Sequence, residues 1–99
     1  MTQEQFIKKY NLKEITEPIR NSDGKYIDKL VGYQTVMQST GYELTITIVL
    51  HDKAPDSYRL MLKTNISPLN TKEIFAMHTI ELSLMEKITY DMINNYIKI

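Results

Sequence analysis

Ninety-nine residues, 42% apolar and 24% charged, make one domain spanning 1–99, with enough apolar content for a single modest core. The absence of cysteine excludes disulfides, thiolate metal sites, iron–sulfur clusters and a cysteine nucleophile. Twelve basic and twelve acidic residues cancel, and arginine occurs only at Arg20 and Arg59. The basic footprint of a nucleic-acid binder is therefore missing, and little net charge holds copies apart.

The first residues, Met1 to Tyr10, contain no secretory apolar core, and no window approaches the roughly 18 apolar residues of a membrane span. The expectation is a cytoplasmic protein with no membrane association.

Thr2 to Tyr10 reads as a short helix. Thr2 is a cap with Gln5 three residues on, and Phe6, Ile7 and Tyr10 share a face. Leu12 to Arg20 reads as an edge strand, because Pro18 has no N–H for a ladder. Asn21-Ser22-Asp23-Gly24 is a turn. The next run, Lys25 to Gln38, places Ile27, Val31, Tyr33, Thr35 and Met37 on one side, with Gly32 marking a bulge. Thr40-Gly41 turns again.

The strongest pattern is the hairpin from Tyr42 to Ile66. Tyr42, Leu44, Ile46, Ile48 and Leu50 alternate with Glu43, Thr45, Thr47, Val49 and His51. Beyond Asp52 to Ser57, the residues Tyr58, Leu60, Leu62 and Ile66 point inward, and Arg59, Met61, Lys63 and Asn65 outward. Only even registers align the two apolar sets, and the pairing of Ile48 with Leu62 is favoured because it also sets Val49 against Met61.

A loop follows around Pro68. Asn70 and Glu73 form a capping box opening a short helix to about Met77. Ile80, Leu82 and Leu84 then alternate as a fifth strand, with one long helix from Thr71 as the alternative reading. From Ser83, with Glu86 at the capping-box position, Met85, Ile88, Met92 and Tyr96 make a helical stripe, flanked by Ile93 and Ile97. The fold class is α+β: a four- to five-stranded, mainly antiparallel sheet with a short N-terminal helix and a C-terminal helix packed on one face.

Few residues offer chemistry. His51 ends a strand, with no serine or cysteine nucleophile expected beside it. His78 and Glu81 are spaced as metal ligands on a helix, but two ligands do not make a site, and a partly buried structural histidine is the simpler reading. Asn21 to Gly24 resembles part of a calcium loop, yet the required acidic positions hold Ile19 and Leu30. Asn65-Ile66-Ser67 is a glycosylation triplet of the kind that arises by accident. No catalytic residue, metal site or cofactor follows.

Seven tyrosines are in excess. Tyr33 and Tyr58, with Arg59 and Lys63, offer a stacking surface for single-stranded nucleic acid, although Tyr58 shares its face with the hairpin's apolar residues. Tyr90, Met92, Ile93, Tyr96 and Ile97 give the last helix more aromatic and apolar surface than a small core needs. The leading expectation is a non-enzymatic protein-interaction module: a regulator, inhibitor or immunity-type protein with a protein partner. Homodimers would form through that helix or the Pro18 edge. Single-strand nucleic-acid binding is the alternative, and a small hydrolase or metal-dependent enzyme comes third.

Overall fold

The computed structural model describes residues 1–66, 69 and 71–98. Ser67 of the glycosylation triplet, the loop residue Pro68, the expected cap at Asn70 and Ile99 lie outside the described residues.

Helix α1 spans Gln3–Tyr10. Its capping box is formed as expected. The Gln5 backbone N–H donates to Thr2 Oγ1 at 3.2 Å, and the Thr2 N–H donates to Gln5 Oε1 at 2.8 Å. Phe6 is wholly buried, with the ring of Tyr10 against it at 4.9 Å.

Five antiparallel strands follow in sheet order β1 (Lys13–Arg20), β2 (Tyr26–Gln38), β3 (Tyr42–Val49), β4 (Ser57–Thr64) and β5 (Glu73–Thr79). Each strand pairs with its neighbour in sequence, so all contacts within the sheet are hairpin contacts. β1 is an edge, as Pro18 requires. The β1–β2 turn is closed by Asn21 N–H to Lys25 C=O at 2.8 Å, with Gly24 at φ 79°. A register jump opposite Ile15 and Thr16 makes Val31 the extra residue of a bulge beside Gly32. The single face expected for Ile27, Val31, Tyr33, Thr35 and Met37 is therefore split: Tyr33, Thr35 and Met37 are half-buried, while Ile27 is exposed.

The β3–β4 hairpin has the expected alternation but a different register. Leu44 pairs with Leu62, Ile46 with Leu60 and Ile48 with Tyr58, so the expected pairing of Ile48 with Leu62 is corrected by four residues. Both registers are even. The observed one sets Leu60, rather than Thr64, opposite Ile46, and closes the turn with His51 and Ser57. Ile66, expected inward, is 81% exposed. Asn65 Nδ2 instead ties the sheet end together, donating to the carbonyls of Ser39 at 3.2 Å and Tyr42 at 3.0 Å.

The segment after β4 departs most from expectation. Glu73–Thr79 is strand β5, not a helix, and Leu82–Met92 is helix α2, so Ile80 to Leu84 forms no strand. The cause lies in β5 itself. Phe75 and Met77 pack on the core while Ile74 and Ala76 face the other way, so both faces carry apolar side chains and the period of two is masked. The helix is capped at Glu81, not Ser83, and the Glu81 N–H donates to Thr79 Oγ1 at 3.0 Å. Glu86 instead meets the N-terminal ammonium at 3.2 Å.

α2 runs into a π-helical turn, Ile93–Ile97. Both helices lie on one face of the sheet, around a core of Phe6, Leu44, Ile46, Ile48, Leu60 and Met85. No described helix is long and apolar enough to cross a membrane.

Candidate functional site

The Cα envelope measures 50 × 34 × 20 Å. Its shortest dimension is one helix layer on one sheet layer, at roughly 10 Å each. Among the described residues nothing packs on the second face of the sheet, and that outer face holds a hollow.

Register builds this face. One row crosses all five strands: Lys13 opposite Gln34, Gln34 opposite Thr47, Thr47 opposite Arg59, and Arg59 opposite His78. The neighbouring row is Val36, Thr45, Met61 and Ala76. Between the rows lies a groove of about 450 Å³ lined by Gln34, Thr47, Arg59, Met61, Ala76 and His78, among others. Gln34 Nε2 donates to Thr47 Oγ1 at 3.0 Å across its floor. Val36 and Met61 remain 50% and 41% exposed beside it, an apolar content that solvent alone does not require.

Charge on the face is asymmetric. Lys63 is held by Glu43 at 3.1 Å, and Lys29 by Asp52 at 2.6 Å. The Gln38 amide and the Lys63 ammonium hold the Glu43 carboxyl below the usual carboxylate range. Arg59 makes no ion pair among the described residues, and no carboxylate lines the groove. The groove thus presents a planar, bidentate guanidinium beside the apolar side chains of Met61 and Ala76.

The expected site residues divide between the two faces. Tyr58 is 6% exposed on the helix side, where its hydroxyl accepts from Gln3 Nε2 at 3.1 Å, and Tyr33 also packs against the core. Their rings are thus separated from Arg59 and Lys63 by the sheet, because pleating sends odd and even positions of β4 to opposite sides. Of the last helix, Ile93 is buried, and Met92, Tyr96 and Ile97 pack on the core, Tyr96 through an edge contact with Tyr42 at 5.1 Å. Of the five residues expected at an interface, Tyr90 alone is exposed, with the Lys9 ammonium 6.0 Å from its ring. Ile93 and Ile97 also line another hollow, about 310 Å³, with Lys9, Tyr10, Met37 and Lys98.

The histidines are apart in role. A serine does stand beside His51, contrary to expectation: Nε2 lies 3.2 Å from Ser57 Oγ. Ser57 is only 3% exposed, and Asp56 accepts from the His51 backbone N–H rather than from its ring. A nucleophile must reach its substrate, so this contact closes a turn. His78 is exposed on the outer face rather than partly buried, and Glu81 lies beyond the strand end, so the two do not share a helix face. No group of three or more potential ligands gathers to hold a metal among the described residues.

Sequence reasoning missed the groove because Arg59 and His78 meet only through the β4–β5 register, in a segment expected to be helical. The outward assignment of Arg59, Met61 and Lys63 was the available signal. No protein-family model matches the chain, and neither the curated proteins nor the solved structures give a match.

Proposed function

We propose that this small α+β domain is a non-enzymatic protein-interaction module. Its outer sheet face takes an extended protein segment that carries acidic beside aliphatic side chains. The observation that carries the reading is Arg59, a guanidinium with no ion-pair partner among the described residues, in a groove without carboxylates that Met61 and Ala76 also line. A carboxylate on the incoming chain supplies the bidentate acceptor, and Met61 and Ala76 receive its aliphatic neighbours. The proposal moves the interaction surface from the C-terminal helix, whose apolar stripe is spent on the core, to the face the helices leave open.

The test is selection from a random peptide library displayed against the purified chain. Enriched peptides should place Asp or Glu next to Leu, Ile or Val. Arg59→Ala should weaken their binding at least tenfold, about 1.4 kcal/mol, with an unchanged thermal transition. Enrichment of basic peptides, or binding indifferent to Arg59→Ala, rejects the reading. Stacking of nucleic acid on Tyr33 and Tyr58 has no supporting observation, since both rings are on the helix-covered side.

A further inference from the structure

The two edges of the sheet are guarded unequally. β1 carries Pro18 and the charges of Lys13, Glu14, Glu17 and Arg20, the usual devices against strand addition. β5 reads Glu-Ile-Phe-Ala-Met-His-Thr, with its single acid at the first position and no proline, lysine or arginine.

Backbone alternation sets which groups β5 leaves open. The Asn65 N–H donates to Gly41 C=O on the β3 side, whereas the Thr64 N–H donates to Lys72 C=O on the β5 side. Even positions of β4 therefore turn toward β5, and Tyr58, Leu60 and Leu62 stand opposite Thr79, Met77 and Phe75. Ala76 and His78, the alternate positions, point N–H and C=O away from the sheet. A register jump makes Ile74 the extra residue of a bulge, so the regular edge runs from Phe75 to Thr79 with Met77 at its middle. Ile74 and Ile80, immediately outside that stretch, are 46% and 62% exposed.

We infer that this edge pairs with the β5 edge of a second copy of the chain, antiparallel about a twofold axis at Met77. In that register Ala76 faces the second copy's His78, and each N–H finds the other's C=O, repeated across the axis. The exposed Ile74 meets the second copy's exposed Ile80 at each end of the seam. The edge is thus complementary to itself in both hydrogen bonding and apolar contact, and a chain of zero net charge puts little electrostatic repulsion between copies. The grooves, each walled on one side by Ala76 and His78, join into one continuous outer face.

Sedimentation equilibrium of the full chain should give twice the 11.6 kDa chain mass at concentrations up to about 1 mM. Ala76→Pro deletes an N–H that faces solvent in the single copy, a place where an edge strand accepts proline. It should give the single-chain mass with the thermal transition kept. Ile80→Lys, at an exposed position, should raise the dissociation constant at least tenfold. The chain has no cysteine of its own, so oxidising a mixture of the Ala76→Cys and His78→Cys variants reads the register directly. Paired Cα atoms at about 5.5 Å lie within disulfide reach, and the diagonal at roughly 7–8 Å does not. The mixed disulfide is expected, and Ala76→Cys alone should stay uncrosslinked. A single-chain mass at about 1 mM overturns the inference, as does a dimer indifferent to both Ala76→Pro and Ile80→Lys, or efficient self-linking of Ala76→Cys. The Arg59→Ala binding test can be repeated on the Ala76→Pro variant, so failure of the groove reading is distinguishable from failure of this one.

Discussion

The β3–β4 and β1–β2 hairpins use similar residue types to opposite ends. In β3 and β4 every second side chain from Leu44 to Ile48 and from Tyr58 to Leu62 is nearly inaccessible, because the helices pack there. In the distal half of β1–β2, past the bulge, no residue is buried, and Ile27 and Tyr26 are 47% and 72% exposed. Alternation alone does not make a core strand; a second layer must lie over the strand for its apolar face to be withdrawn from water. The bulge at Val31 marks where that cover ends.

The contrast is broken most severely from its centre. Ile46→Ala, at a wholly buried position flanked by Thr35 of β2 and Leu60 of β4, should lower unfolding free energy by about 3–4 kcal/mol in urea titration. Ile27→Ala, the same change on the arm, should cost under ~1 kcal/mol. Equal losses would mean that the arm is covered in solution. Gly32→Ala probes the junction. A Cβ there would stand 2.3 Å from the Ile48 carbonyl oxygen on the neighbouring strand, so β2 must part from β3. The expected loss is about 2–3 kcal/mol, read by the same titration.

These expectations show which parts of the molecule were legible in sequence. α1 was legible because Thr2 and Gln5 cap each other locally, and β3 because its polar positions are threonines and a glutamate that cannot be mistaken for core. β5 was not, since Ile74 and Ala76 on the outer face are as apolar as Phe75 and Met77 on the inner one. The same ambiguity hid the groove: Arg59 and Met61 could be assigned outward, but their neighbours across the strand depend on a register that local pattern does not specify. Polar burial was equally invisible. Thr89 is wholly buried in α2, and its hydroxyl has no hydrogen-bond partner among the described residues. Thr89→Val keeps the shape and removes the desolvated hydroxyl, and should raise stability by about 1 kcal/mol. A loss instead would show that the hydroxyl finds a partner in solution.

The smallest effects lie in the ion pairs, and there the two hairpins differ in a way that pH can read. Glu43 pairs across the β3–β4 seam with Lys63, and its side chain is only 19% accessible. The hydrogen bond from Gln38, and then that from Lys63, lower its pKa in the folded chain below the ordinary 4.5. A depressed carboxylate pKa means that the unfolded chain takes up the proton first as pH falls. The contribution of Glu43 is therefore complete above about pH 5 and disappears as pH drops through the folded value. Glu43→Gln should cost at most about 1 kcal/mol at pH 7, and the difference from the native chain should shrink as pH falls below the ordinary carboxylate range. Lys29 and Asp52 join the arm to the β3–β4 turn, and hydrogen bonding between them lowers the Asp52 pKa and raises that of Lys29. Asp52 is 74% accessible, however, so solvent screens the pair, and Asp52→Asn should leave the melting transition unmoved at pH 7 and in acid alike. A pH-dependent loss on Asp52→Asn as large as that on Glu43→Gln would place the arm against the body more firmly than its exposure allows.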